Sequence, residues 1–270
     1  MFMPLAGKKI HPAFLVYHYL WQAVDWLFPP YCAGCGSFGS RWCSACEENI
    51  QIIQPPLCRI CGQPSVSSDI CNSCKSSPPS FTALQAIGTY TGSFRKAILQ
   101  LKFRNNLGLG EVFAQKLARR IIRLDWHPDL VVAVPLSKQH QKTRGFNQAE
   151  LLAKPLSWLI NVQYTSDAIT RIKPTSFQVG LTAHQRELNV KDAFWAKAEL
   201  VSGKSILLVD DIATTCSTMD SCSKALLAAG AKQVYAICLA RAVLDQDIHL
   251  DTFSLEEMDS PLQYSSFLGG

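Results

Sequence analysis

The sequence predicts an α/β fold, a parallel β-sheet flanked by helices, preceded by a small domain built on paired cysteines. Three observations predict it. Short continuous apolar runs ending in polar loops recur at 130–134, 206–209 and 234–239, the mark of parallel strands buried on both faces. Helix-period segments lie among them, notably Glu111 to Leu124 and the stretch from Met219 to Ala229. Finally, eight of the eleven cysteines fall between residues 32 and 74.

A chain of 270 residues has room for two domains and a real core, and 48% hydrophobic with 17% charged residues is a globular composition. The most apolar early stretch, Ala13 to Phe28, contains His18, Gln22 and Asp25 and is shorter than the ~20 residues a bilayer span needs. With no convincing secretory pattern either, no membrane span and a cytoplasmic location are expected. Charge is uneven. Arg241 is the last basic residue, and six acids (Asp245, Asp247, Asp251, Glu256, Glu257, Asp259) follow it. The body is therefore more basic than the overall +5, which favours a polyanionic partner, either a phosphate-rich small molecule or nucleic acid.

Taking the elements in order, Phe14, Tyr17, Trp21, Val24 and Phe28 fall at helical spacing before Pro29-Pro30. Its length and lack of a basic face favour a helix docking this stripe on the protein's own core over a membrane-surface helix. Four Cys-x-x-Cys pairs follow: Cys32/Cys35, Cys43/Cys46, Cys58/Cys61 and Cys71/Cys74. Two such knuckles complete a four-sulfur Zn²⁺ site, and Gly36 and Gly62, after the second cysteine of the first and third pairs, suit the tight turn of a knuckle. The simplest arrangement joins the first four cysteines on one zinc and the last four on another; a crossed pairing is the alternative. A disulfide framework does not suit a cytoplasmic chain, and a redox motif lacks its βαβ context. Closed four-cysteine sites are structural.

Lys75 to Ser80 reads as a linker. Thr82 to Tyr90 then reads as a strand, Phe94 to Arg104 as a basic helix, and Glu111 to Leu124 as a second helix. Phe113, Leu117, Ile121 and Leu124 form the inner face of this second helix, with Lys116, Arg119, Arg120 and Arg123 largely outside. Two basic helices close in sequence are the footprint that a single nucleic-acid strand requires. The strand at 130–134 leads into a cationic loop with Lys138, Lys142 and Arg144, suited to pyrophosphate.

The central stretch runs Ile206-Leu-Leu-Val209 into Asp210 and Asp211, then Ala213, Thr214, Thr215, Cys216, Ser217 and Thr218. Ligands of open α/β sheets sit beyond the carboxyl ends of strands. Two carboxylates that accept from sugar hydroxyls, followed by a hydroxyl-rich turn at a helix N-terminus, suit a ribose 5-phosphate. Cys216 stands at this helix N-terminus, where a thiol pKa can be depressed, whereas Cys222 and Cys238 read as small core side chains.

This stretch resembles the phosphoribosyl-pyrophosphate (PRPP) motif of type I phosphoribosyltransferases, with Cys216 where that motif has glycine. A Cβ at a left-handed position costs on the order of 1 kcal/mol or more. The string from Arg144 to Ala153, the cysteine pairs, Leu101 to Arg104, and the segment from Arg171 through Gln178 and Arg186 to Phe194 together resemble the ComF family of competence-associated phosphoribosyltransferase-like proteins. That resemblance implies a type I phosphoribosyltransferase-like sheet behind a double zinc ribbon. It divides the chain into an N-terminal helix (1–30), the ribbons (31–79), the transferase-like domain (80–241) and an acidic tail (242–270). It also implies a role in natural transformation, handling imported single-stranded DNA alongside DNA-uptake and recombination proteins, with a pocket for PRPP or a nucleotide. The alternative it implies is an active transferase: Mg²⁺ bridging the pyrophosphate, Asp210 and Asp211 on the ribose hydroxyls, residues 213–218 on the 5-phosphate, and Lys138 and Arg144 on the leaving pyrophosphate. By the same resemblance Arg171, Lys173, Gln178 and Arg186 are candidates for covering the ligand.

Overall fold

The computed structural model describes residues 11–65, 69–104, 106–124, 126–136, 141, 145–172 and 193–243. The chain opens with helix α1 (Pro12–Leu27), capped by the His11 side chain and started by Pro12, whose missing N–H costs nothing in a first turn. Two short helices follow the cysteine knuckles, α2 (Ser44–Glu48) and α3 (Asn72–Ser76). Strand β1 (Ala83–Thr89) then leads to α4 (Gly92–Phe103) and α5 (Leu109–Ile122). Next come β2 (Leu130–Ala133), α6 (Gln148–Ile160) and β3 (Gln163–Tyr164). The remaining described elements are the strands β4 (Ile169–Arg171) and β5 (Phe194–Ala196), the short helix α7 (Ala198–Val201), β6 (Ser205–Ala213), α8 (Ser217–Ala228) and β7 (Gln233–Arg241).

The main sheet has the order β1-β7-β6-β2-β3, every neighbouring pair parallel, while β4 and β5 form a separate antiparallel pair. Strand alternation divides the core in two. On one face Val131, Leu207, Val209, Ile237 and Leu239 pack under α4, α5 and α6. On the other, Val132, Ile206, Leu208, Val234 and Cys238 meet Met219, Cys222 and Leu226 of α8 together with the β4–β5 pair. The sheet is thus covered on both sides, which is why its strands read as unbroken apolar runs.

The sequence-based expectations for the elements hold with three differences. First, β6 does not stop at Val209. It stays paired with β7 through Ala213, so both acids lie within a strand, held there by the ladder despite the low strand preference of aspartate. Second, the α1 stripe is buried only at its start. Phe14 is fully buried, Tyr17 and Trp21 are half-buried, but Val24 and Phe28 are 39% and 74% exposed. Arg41 accounts for this, because it pairs with Asp25, stacks on Trp21 at 4.7 Å and so holds the helix by its polar edge. Third, two of the four α5 cations are not outside. Lys116 is ion-paired to Glu47 with 11% of its side chain exposed, and the Arg120 Nη2 group donates to Gln85 Oε1 at 2.6 Å. Among the described residues no helix is long and apolar enough to cross a membrane.

The ribbons pack along the outer edge of β1. Thr89 N–H donates to Gln51 C=O at 2.8 Å and Leu84 N–H to Ile60 C=O at 2.7 Å. Close approach is possible because residue 88 is glycine; a Cβ there would lie 2.6 Å from Ile50 and 2.7 Å from the Gln51 carbonyl.

Candidate metal centres and phosphate loop

The cysteines gather as two tetrads, Cys32/Cys35/Cys43/Cys46 and Cys58/Cys61/Cys71/Cys74, the sulfurs of each tetrad all within 4.8 Å of one another. This is the simple, uncrossed arrangement. The first and third knuckles turn at a glycine in the left-handed region, Gly36 at φ 79° and Gly62 at φ 69°. The Cys35–Cys43 and Cys61–Cys71 sulfurs are 3.6 Å apart, close to the roughly 3.8 Å edge of a tetrahedron with Zn–S bonds of about 2.3 Å. The thiols also resist ionising together. Cys35 is drawn down to about 6 by the Ser37 hydroxyl and amide, whereas Cys46 is pushed up to about 12 by burial and by the neighbouring thiols. In the second tetrad Cys61 is pushed up to about 11 by burial. A divalent cation among the sulfurs removes that conflict. The donor sets therefore fit zinc, with every position a protein sulfur.

The phosphate loop lies where β6 passes into α8. Thr214, Thr215 and Cys216 form the bend, with Cys216 as the N-cap of α8 at φ 66°, ψ 0°. This is the left-handed region that favours glycine. The cysteine therefore keeps the backbone shape of a glycine turn. Its side chain does not point at random, because the buried Arg241 Nη1 group donates to Cys216 Sγ at 2.6 Å and to the Thr214 carbonyl at 3.3 Å. Burial pushes the Cys216 thiol up, with Arg241 pulling the other way; the depressed pKa that a helix N-terminus can give does not prevail. Thr215 and Ser217 hydroxyls share a hydrogen bond of 2.9 Å. In the first turn of α8, Ser217 N–H reaches Thr215 Oγ1 at 3.5 Å and Asp220 N–H donates to the Cys216 carbonyl at 2.8 Å, which leaves the Thr218 and Met219 N–H groups as the kind of donor a phosphate uses.

The two acids face opposite ways, as strand alternation requires. Asp211 is 3% exposed and its carboxylate lies 3.2 Å from the Lys102 ammonium on α4. This is a charge contact rather than an aligned hydrogen bond, since Asp211 Oδ2 has no hydrogen-bond partner among the described residues. Asp210 lies on the α8 side, where its carboxylate accepts from the Asp211 N–H at 2.8 Å. Burial, then the charge of Asp211, raises the Asp210 pKa well above the usual carboxylate range. Ala213 closes the strand opposite Arg241. Thr218 lies in the first turn of α8.

Lys138, Lys142 and Arg144 of the cationic loop lie outside the described residues, as do Lys173, Gln178 and Arg186 and the acidic tail from residue 244. Arg171 closes β4, with its guanidinium over the Phe194 ring at 5.6 Å. Sequence reasoning missed Lys102 and Arg241 as members of this region. Lys102 carried a signal, a cation at helical spacing among apolar residues, but nothing local pointed it at Asp211.

Known proteins are similar to this chain in sequence and in fold. The double zinc ribbon domain family matches residues 23–75, and the phosphoribosyl transferase domain family matches residues 108–253. A "DNA utilization protein YhgH" of Escherichia coli K12 is 35% identical over 209 residues, 74% of this chain and 90% of its own length. "Competence protein F" of Haemophilus influenzae is 32% identical over 210 residues, 74% and 90% of the two chains, and "Competence protein ComFC" of Bacillus subtilis is 24% identical over 213 residues, 74% and 84%. Among solved structures, a Bacillus subtilis glutamine PRPP amidotransferase aligns with TM-score 0.36 at 15% identity, over 52% of this chain and 30% of that one. A Trypanosoma brucei adenine phosphoribosyl transferase aligns with TM-score 0.36 at 11% identity, over 58% and 86%. The class is a double zinc ribbon joined to a phosphoribosyltransferase-type sheet. Within it, the chain belongs to the ComF family of competence and DNA-utilization proteins.

Proposed function

We propose that this chain handles imported single-stranded DNA in the cytoplasm, passing it from DNA-uptake proteins toward recombination proteins, and that residues 210–218 take the phosphate of a PRPP- or nucleotide-type ligand. The relatives named for competence and DNA utilization support the first half. Surface cations add to it: Lys96 on α4, and Arg119 and Arg123 on and beside α5, are exposed, as contact with a nucleic-acid backbone requires. The observation that carries the second half is Cys216 at φ 66° with its thiol drawn back to Arg241. The substitution of the motif glycine leaves the turn, and the donors at the α8 N-terminus, in a phosphate-binding form.

That same observation favours a second reading, a working phosphoribosyltransferase. Mg²⁺ would supply charge neutralisation on the pyrophosphate. Asp210, on the α8 side, would orient the ribose hydroxyls, Ala213 to Thr218 would fix the 5-phosphate, and Lys138 and Arg144 would hold the departing pyrophosphate, while Asp211, turned to Lys102 on the other face, would support the strand from behind.

The test is calorimetry with PRPP and Mg²⁺ on wild type and Cys216→Gly, beside anisotropy of a labelled single-stranded oligonucleotide over a salt series. Binding of PRPP to both proteins and a salt-dependent oligonucleotide affinity are expected. PRPP binding by the glycine variant alone sinks the pocket reading, and a flat, weak oligonucleotide signal sinks the DNA reading. Pyrophosphate release with a supplied base would move the assignment to the transferase.

A further inference from the structure

Arg241 is a buried cation without an assigned partner charge. It is 3% exposed, and its Nε has no hydrogen-bond partner among the described residues, none of which forms a salt bridge with it. A buried guanidinium without a counter-charge is strongly unfavourable, so the surroundings of Arg241 have to supply negative charge.

Two elements meet there. On one side is the phosphate loop, through the Arg241 hydrogen bonds to the Thr214 carbonyl and Cys216 Sγ. On the other is the second cysteine tetrad. Its knuckle, with Cys58 N–H donating to Gln63 C=O at 2.8 Å, is fastened to the residue after Arg241 by Gln63 Nε2 donating to the Ala242 carbonyl at 2.8 Å. Ala242 N–H in turn donates to the Ala213 carbonyl at 3.0 Å, at the very start of the loop. One continuous set of contacts thus runs from the knuckle through Ala242 to the start of the loop, beside the bonds that Arg241 makes to the same loop.

A tetrad of thiolates around Zn²⁺ carries two net negative charges, and a bound phosphate brings more. Arg241, bonded to the loop and adjacent in sequence to the Ala242 that holds the knuckle, is the cation placed to respond to both. Among the described residues the first tetrad has no such connection; Arg41 beside it reaches Asp25 and Asn106 instead.

We propose that Arg241 is a positioning residue coupling the second cysteine tetrad to the phosphate loop, so that zinc at Cys58/Cys61/Cys71/Cys74 and phosphate at residues 214–218 strengthen each other's binding. This rests on the phosphate-pocket reading above. Because such coupling is reciprocal, it can be read from the metal side, where an inert structural role for Arg241 would leave no trace.

The experiment uses the full, zinc-loaded chain with PRPP and Mg²⁺ as probe. Zinc release to a chromogenic chelator is followed with and without the probe, and probe affinity is measured by calorimetry. The expected result is that the probe slows release of one of the two zincs by about tenfold. Arg241→Gln should abolish this slowing and weaken probe binding by a similar factor, and Arg241→Lys should restore part of both. Gln63→Ala, which spares the core, should reduce the coupling with both zincs still bound, so a folding defect in the Arg241 variants does not mask the result. If the probe binds wild type but leaves zinc release unchanged, or binds Arg241→Gln as tightly as wild type, the coupling is wrong and the pocket stands. If wild type binds no probe, the pocket reading fails and the coupling with it.

Discussion

The Lys102 ammonium on α4 and the Asp211 carboxylate on β6 lie 3.2 Å apart, with 12% and 4% of their side chains exposed. One of the two acids of the sugar-phosphate motif therefore already has an internal cation. Removing the lysine strands a buried carboxylate. Lys102→Met is expected to lower the unfolding free energy by about 3–5 kcal/mol in urea titration. The double variant Lys102→Met/Asp211→Asn should recover most of that loss, because neither charge is then left unpaired; a double variant as unstable as the single one would contradict the pairing.

Asp210 carries the opposite signature. Its folded pKa is raised by burial and by Asp211. Below the unfolded pKa both states hold the proton and the group has no effect. As pH rises above it, the unfolded chain releases the proton while the folded one keeps it, so stability falls until the folded pKa is reached. Asp210→Asn should thus raise Tm at neutral pH by about 2–4 °C, corresponding to roughly 1 kcal/mol, with the gain vanishing near pH 3. A gain that persists unchanged in acid would point to a cause other than this carboxyl.

At residue 216 two variants separate backbone from side chain. Cys216→Gly and Cys216→Ala both remove the thiol that Arg241 touches, but only alanine retains a Cβ at φ 66°. The glycine variant should be the more stable of the two by about 1 kcal/mol, measured by chemical denaturation. Equal stability would mean that the turn has relaxed out of the left-handed region.

Purified protein is expected to hold two zinc ions, one per tetrad, by elemental analysis. Cys43→Ser and Cys71→Ser should each reduce the content by one. Loss of both ions from either variant would show that the tetrads are not separate sites.

The parts of this architecture that are legible in the sequence are those written in short-range pattern. The runs at 206–209 and 234–239 announced parallel strands because both faces of the sheet are covered, and the Cys-x-x-Cys spacing announced the tetrads because a knuckle is a local turn. What escaped was long-range. Lys102 meets Asp211, and Arg241 meets Cys216, only once α4, β6, β7 and the loop are packed. The wheel of α5 gave the right inner face, yet it could not foresee that Glu47 from the ribbons and Gln85 from β1 would claim Lys116 and Arg120.

β1 is one of the two edge strands of the main sheet, and the donors Leu84 N–H and Thr89 N–H are taken by Ile60 and Gln51 of the ribbons. A bare strand edge is a template for other chains. The ribbons therefore act as a shield against self-association. If the ribbons lose their fold without metal, that edge is uncovered, and light scattering of chelator-treated protein is expected to rise.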